Sequence, residues 1–306
     1  MQGGERYNSI SNYLKREFGR KTVKLSIDAG FTCPNRDGTL GTGGCAFCSA
    51  GGSGELAAHT AVDGSGISAS ISEQIERLSD KWPYAAYLAY FQSFTNTYAP
   101  VDELRKRYFA ALDDPRIEGI AIATRPDCLG DDVLDLLEEI NRDHFLWVEL
   151  GLQSIHDATL KAMNTCYTAA VYDKAVSDLT GRGIRVVSHL ILGLPGETRG
   201  MMLESVRHVC GADIFGIKLH LMNIVKTSPL YEAMPGYVPF DSIEDYVDLA
   251  VSCLEIIPED ITIHRLTGDV PRKILVSPEW SWRKRTILNA INRELMLRGT
   301  CQGAKA

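Results

Sequence analysis

Three cysteines, Cys33, Cys45 and Cys48, share one glycine-rich segment with the spacing Cys-x11-Cys-x2-Cys. Thiolates converging from a single loop suit a soft metal or an iron–sulfur cluster, and Gly38, Gly41, Gly43 and Gly44 let the backbone wrap closely around a bulky object. The number of ligands separates the options. A structural zinc site closes on four ligands, yet Cys128, Cys166, Cys210, Cys253 and Cys301 are scattered and form no second Cys-x2-Cys pair. Three cysteines on a [4Fe-4S] cluster leave one iron open, which is what a substrate-binding metal needs. A zinc with a remote fourth ligand and a set of merely structural cysteines are the competing readings.

Other polar residues sit where apolar runs end. Gln92, Thr95 and Asn96 offer acceptors, or form an ordinary polar turn. Arg125 could fork onto a carboxylate or make a structural ion pair. Glu149 and Gln153 fall on one side of a period-2 pattern, and a carboxylate and an amide turned inward are costly unless paired. His189 interrupts an apolar run, where a histidine is either functional or simply hydrogen-bonded. Lys218 and His220 point the same way and could reach a substrate, as could His264-Arg265 beyond them. The stretch Gly193-x2-Gly196-Glu197 lacks the Lys-Ser/Thr of a phosphate loop.

Positioning these residues falls to alternating elements. Near-continuous apolar runs at 23–29, 87–94, 119–124, 145–152, 185–192 and 215–221 read as parallel strands covered on both faces. Between them lie amphipathic stretches at 67–82, 102–112, 131–141, 169–179 and 201–210. Such alternation predicts an α/β fold with right-handed crossovers. Six βα units fit a partial (β/α)6 TIM-like barrel, with chemistry at the carboxyl ends of the strands; on pattern alone a doubly wound open sheet fits as well. Beyond Pro229 the pattern changes to a helix at 243–256, a strand at 261–266 and a basic helix at 282–297. The expected organisation is a basic helical extension over 1–22, a barrel core over 23–228 and a C-terminal accessory region over 229–306.

The 306 residues are 45% hydrophobic and 23% charged, an ordinary globular composition able to bury a large core. No apolar run reaches the roughly 18 residues a membrane helix needs, and the polar start lacks a signal-peptide segment. The expectation is a cytoplasmic protein with no membrane partner, whose cysteines serve metal or catalysis rather than disulfides. Charge is uneven. Residues 1–25 carry a net +4 and residues 272–306 a net +6 against −7 for the whole chain, so the intervening residues carry −17. Basic ends on an acidic body are either solvated helix faces or a patch for a polyanion such as RNA, with Trp280 and Trp282 able to stack on an unpaired base.

The cysteine segment resembles the cluster-binding loop of radical S-adenosylmethionine (SAM) enzymes, in the wide-spaced form of the branch related to the Elongator catalytic subunit. The resemblance covers residues 23–280 and includes Tyr90-Phe91-Gln92-Ser93-Phe94-Thr95-Asn96-Thr97, Thr124-Arg125-Pro126-Asp127-Cys128, Glu149-Leu150-Gly151-Leu152-Gln153-Ser154, Ser188 to Glu197 and Gly216-Ile217-Lys218-Leu219-His220. Motifs in this order, each at the end of a predicted strand, match the small bacterial members of that branch. The resemblance implies a [4Fe-4S] cluster on Cys33, Cys45 and Cys48. It further implies SAM held near Phe47, Gln92, Thr95, Asn96, Arg125, Glu149, Gln153, His189 and Gly193, and cleaved reductively to a 5′-deoxyadenosyl radical that abstracts hydrogen from substrate. An electron donor such as flavodoxin or ferredoxin is then required. Members of this branch are linked to wobble-uridine modification in tRNA, including trimming of 5-carboxymethylaminomethyluridine to 5-aminomethyluridine, which would make a downstream methyltransferase a further partner. A radical enzyme on a small metabolite or a protein, and a non-catalytic cluster or haem carrier, are the alternatives. A methylthiotransferase would need a second cysteine cluster, and the Elongator acetyltransferase a further domain after the barrel. Two departures stand out: relatives usually read Arg-Gly-His where this chain has Thr165-Cys166-Tyr167, and Asn223 and Thr227 replace an expected His and Gly. Both bear on substrate choice.

Overall fold

The computed structural model describes residues 5–52, 54, 57–60 and 66–306; the first four residues of the expected basic extension lie outside them. The order of elements is α1 (Ile10–Phe18), β1 (Thr22–Asp28), β2 (Ala58–His59), α2 (Ile67–Ser79), β3 (Ala86–Phe91), α3 (Val101–Leu112), β4 (Ile117–Thr124), α4 (Asp131–Asp143), β5 (Phe145–Gln153), α5 (Asp157–Ala162) and α6 (Ala169–Gly181). There follow β6 (Arg185–Leu192), α7 (Arg199–Cys210), β7 (Gly216–Leu221), β8 (Ile224–Val225), α8 (Pro229–Ala233), α9 (Ile243–Ile256), β9 (Thr262–Arg265), β10 (Leu275–Ser277) and α10 (Lys284–Leu297).

Eight parallel strands form one sheet in the order β2-β1-β3-β4-β5-β6-β7-β9. Apart from the two-residue edge strand β2, the order follows the chain without a reversal. A doubly wound sheet reverses at its switch point, so this is a singly wound, curled half-barrel, the partial TIM-like barrel expected. The strand at 261–266 does not stand apart: as β9 it extends the same sheet, registering Gly216 with Thr262.

Alternation along the strands sorts two cores. Leu25, Ile27, Ile120, Val148 and Leu219 face outward and pack under the helices. On α4, Val133, Leu134, Leu137 and Ile140 recur at helical spacing and cover them. Leu88, Tyr90, Ala121, Trp147 and Val187 face inward, where α1 lays Leu14 against them. Ser9 caps α1 through its side chain and bridges to Ile263 of β9. Helix α1 thus plugs the amino-terminal end of the barrel and leaves the carboxyl end open.

Candidate active site

Above the plug lies a layer of charge. Glu149 projects inward from β5 and is 3% exposed. Its Oε2 accepts from Lys218 Nζ of β7 and from Tyr90 OH of β3, and its Oε1 accepts from Trp147 Nε1 at 3.2 Å. Lys24 of β1 stands 3.8 Å from the same oxygen and 4.7 Å from the centre of the Tyr90 ring. Burial works to raise the Glu149 pKa, but Lys218 and Lys24 overcome it and hold the carboxyl well below its usual range. Burial pulls Lys218 down to about 8 despite Glu149. Each charge is paired because an isolated one at this depth would be prohibitive.

Over this layer opens a cavity lined by residues from β3, β4, β5, β6, β7 and β9. His189 and His220 meet there, ring centres 5.3 Å apart, on neighbouring strands. Burial, then the charge of Lys218, lowers His189 to about 3; burial and His189 put His220 well below its ordinary value, so both imidazoles are neutral. Four buried polar atoms on residues lining the cavity have no partner among the described residues: Gln153 Oε1, His189 Nε2, His220 Nδ1 and Asn223 Oδ1. Native proteins rarely leave such atoms unpaired, and a polar organic ligand would satisfy them.

The cysteine loop closes the mouth. It leaves β1, and Gly44, at φ +72°, makes the left-handed turn that lets its N–H donate to Asn35 O at 2.7 Å. Asn164 Nδ2 donates to Gly44 O, Ala46 N–H to Met163 O and Leu230 N–H to Ala46 O, each at 2.8 Å, so loops after β5 and β8 brace it. Cys33, Cys45 and Cys48 all line the cavity, and no cysteine forms a disulfide. Burial, then Cys48, pushes the Cys45 thiol up to about 12, a cost that a bound cation would remove. Asn35 Nδ2 lies 3.6 Å and Arg125 Nη1 4.0 Å from Cys45 Sγ. Among the described residues no trio of Cys, His, Asp or Glu closes on a point as around a single ion; a three-thiol rim on an open cavity fits a multi-iron cluster better.

Most of the predicted site residues meet in this cavity: Phe47, Gln92, Thr95, Arg125, Glu149, Gln153, His189, Lys218, His220 and Arg265 line it with the three cysteines. Three do not. Asn96 is buried behind it, donating through Nδ2 to Ala123 O at 2.8 Å. Gly193, at φ +92°, packs beneath Phe240 and accepts from Tyr237 OH at 3.0 Å. His264 lies in the plug against Trp147 and Phe215, 2.9 Å from Thr262 Oγ1. Two residues inside the cavity are engaged differently than expected. The Arg125 fork grips Asp127 at 2.6 and 2.9 Å and Thr165 O at 2.8 Å, and the Glu149 carboxylate serves the ion network. Sequence reasoning missed Lys24, Tyr90, Asn35 and Tyr167. A lysine inside the apolar run of β1 was the available signal for the first; the others are polar side chains whose partners come from elements distant in sequence.

Comparison with known proteins fits this geometry. Residues 35–209 match the model of the radical SAM superfamily, and residues 214–296 that of the radical SAM C-terminal domain. The uncharacterised protein YtqA of Bacillus subtilis is 45% identical over 300 residues, covering 98% of this chain and 92% of YtqA. The tRNA uridine(34) acetyltransferase of Methanocaldococcus jannaschii is 24% identical over 166 residues, 53% of this chain and 30% of that protein. The structure of the Methanocaldococcus infernus Elp3 superposes with a TM-score of 0.67 at 16% identity, covering 92% of this chain and 64% of the other. Among the described residues no helix is long and apolar enough to cross a membrane. A half-barrel with three thiols at its open end, matched by the family models over most of its length, places the chain in the radical SAM superfamily, whose cofactors are a [4Fe-4S] cluster and SAM.

Proposed function

We propose that this radical SAM enzyme modifies the wobble uridine of tRNA, trimming a 5-carboxymethylaminomethyl group to 5-aminomethyl. Cys33, Cys45 and Cys48 would hold the cluster, and Gln92, Thr95 and Gln153 would line the SAM site. Bound together, cluster and SAM supply one-electron chemistry able to remove hydrogen from an unactivated or glycine-like carbon, given an electron from a donor such as flavodoxin or ferredoxin. The protein's own part is to exclude water and position. Helix α1 seals the bottom, Arg125 and Asn35 place N–H groups toward Cys45, and the paired charges beneath leave little freedom to the floor.

The observation that carries the RNA reading is the surface beside the mouth. Asp269 lines the cavity and pairs with Lys284 at 2.9 Å. Next to it Trp282, 42% exposed, lies between Arg272 at 4.6 Å and Arg283 at 5.6 Å. An exposed indole among guanidinium groups at a cavity mouth suits a stacked base and its phosphates, and the tRNA-modifying relative supports the same class. The acetyl transfer named for that relative is not carried over, since this chain matches only 30% of it. Mass spectrometry of tRNA nucleosides from cells with and without the gene tests the proposal. Accumulation of 5-carboxymethylaminomethyluridine on deletion is expected, and an unchanged profile refutes it. Independently, the anaerobically reconstituted protein with a strong reductant should release 5′-deoxyadenosine.

A further inference from the structure

The side of the cavity formed by β7, β9 and the loop after β9 is unevenly charged. Lys218 and Arg265 line it beside two carboxylates, Glu149 and Asp269, and Lys24 stands behind Glu149, 3.8 Å from its Oε1. Glu149 is taken by the two lysines. Asp269 divides between Lys284 at 2.9 Å and Arg265 at 3.5 Å, the longer contact falling to Arg265. With Lys24 and Lys284 included, four cations meet two carboxylates here, and unmatched charge at a partly buried site favours a guest that supplies the counter-charge. Beside these charges, on β6, on β7 and just beyond it, the groups are neutral, His189 registering with Lys218 itself. Asn223 is 6% exposed and its Oδ1 has no partner among the described residues; the same holds for His189 Nε2 and His220 Nδ1. The Asn223 side chain is pressed against Gly268, where an added Cβ would fall 1.8 Å from Nδ2, so its position is set by the backbone of the loop after β9. Cations adjacent to unpaired acceptors within one cavity are the complement of an anion next to an N–H donor.

We propose that Arg265 and Lys218 together with Asn223 form a subsite for an N-substituted glycine group, its carboxylate toward the cations and its amine toward Asn223 Oδ1 and the paired imidazoles. The inference deepens the uridine reading above and rests on it for the identity of the nucleoside that carries the group. It makes Arg265 a specificity-determining residue. A carboxylate accepts charge-assisted hydrogen bonds from a guanidinium far better than a neutral ester does, so discrimination between acid and ester is the property to measure.

The test uses the anaerobically reconstituted holoenzyme and synthetic anticodon stem-loops. One carries 5-carboxymethylaminomethyluridine, one its methyl ester and one plain uridine. Fluorescence anisotropy should show the acid binding at least about tenfold tighter than the ester, equivalent to about 1.4 kcal/mol. Arg265→Gln should reduce that ratio to below about threefold while leaving the affinity for the plain stem-loop unchanged. Asn223→Leu, a second variant of similar volume, should weaken the acid and the ester alike, since both carry the amine, and leave the plain stem-loop unchanged. Saturation-transfer NMR with N-methylglycine runs beside it. Should no stem-loop bind while N-methylglycine contacts the wild type but not Arg265→Gln, the RNA reading falls and the subsite stands. Equal binding of acid and ester, or the absence of both acid stem-loop and N-methylglycine binding, overturns the subsite.

Discussion

Replacing Glu149 by Gln removes one charge from a network that has no water to substitute for it. Glu149 and Lys218 are each 3% exposed. Breaking a buried pair by removing one partner costs about 3–5 kcal/mol, because the other charge stays behind. Lys218 has one escape, which is to lose its proton. Against an unfolded-state pKa of about 10.4, neutralising it at pH 7 costs about 4.6 kcal/mol, at about 1.36 kcal/mol per unit, and that sets a ceiling on the damage. The sign follows from linkage. The wild-type Lys218 pKa is already depressed to about 8, and loss of Glu149, which raises it, depresses it further. In the variant the unfolded state then binds more protons over a window that starts lower, so stability recovers with rising pH from a lower pH than in the wild type. The deficit should narrow by up to about 1.4 kcal/mol per pH unit below about pH 8 and stay level above it. Thermal unfolding by circular dichroism from pH 6.5 to 9 should show Glu149→Gln melting on the order of 10 °C lower at pH 7. Adding Lys218→Met should restore most of the loss. A deficit that does not change with pH, or no recovery in the double variant, would refute the account.

Three further outcomes are expected. Cys45→Ala should abolish cluster iron, measured by mass spectrometry of the metal, and with it 5′-deoxyadenosine release. Gly119→Ala would place a Cβ 2.0 Å from the Phe145 carbonyl oxygen in the adjacent strand; since backbone must move, a loss of about 3 kcal/mol in urea unfolding is expected. Trp282→Ala should weaken binding of a single-stranded RNA by about 1–3 kcal/mol, read by anisotropy at fixed salt, without lowering the melting temperature.

The sheet was legible because its strands are buried on both faces, and runs such as Arg185–Leu192 leave little room for another reading. Strand ends were less so. The run at 87–94 continues past β3, which stops at Phe91, because Phe94 and Thr95 turn into the loop and hydrogen-bond elsewhere: Phe94 N–H donates to Gly52 O and Thr95 N–H to Thr32 O. That β9 would join the sheet was hidden, since its register with β7 depends on α9 packing as a crossover helix. Within the site, inward-facing polar residues were visible from the period-2 pattern. Their partners were not. Lys24, Tyr90, Glu149 and Lys218 come from four strands, and only the stagger between strands brings them to one level.

The two departures from the family pattern differ in kind. Cys166 stands where relatives usually carry glycine, and it takes φ +64°, with Asn164 at +52°; a left-handed conformation costs a non-glycine residue roughly 1–2 kcal/mol. Such strain persists only where the surroundings over-determine it. Here Cys166 Sγ reaches Asn35 Oδ1 at 3.2 Å, Asn35 Nδ2 donates to Asn164 O at 2.6 Å, and Thr165 O takes the Arg125 guanidinium. Each contact ties the loop after α5 to the cysteine loop or to the arginine beside it. The change at 165–167 is therefore spent on how the thiols are held. Asn223 Oδ1, by contrast, has no partner among the described residues and lies at the cavity just beyond the carboxyl end of β7, so a difference in substrate between this chain and its distant relatives would have its physical origin there.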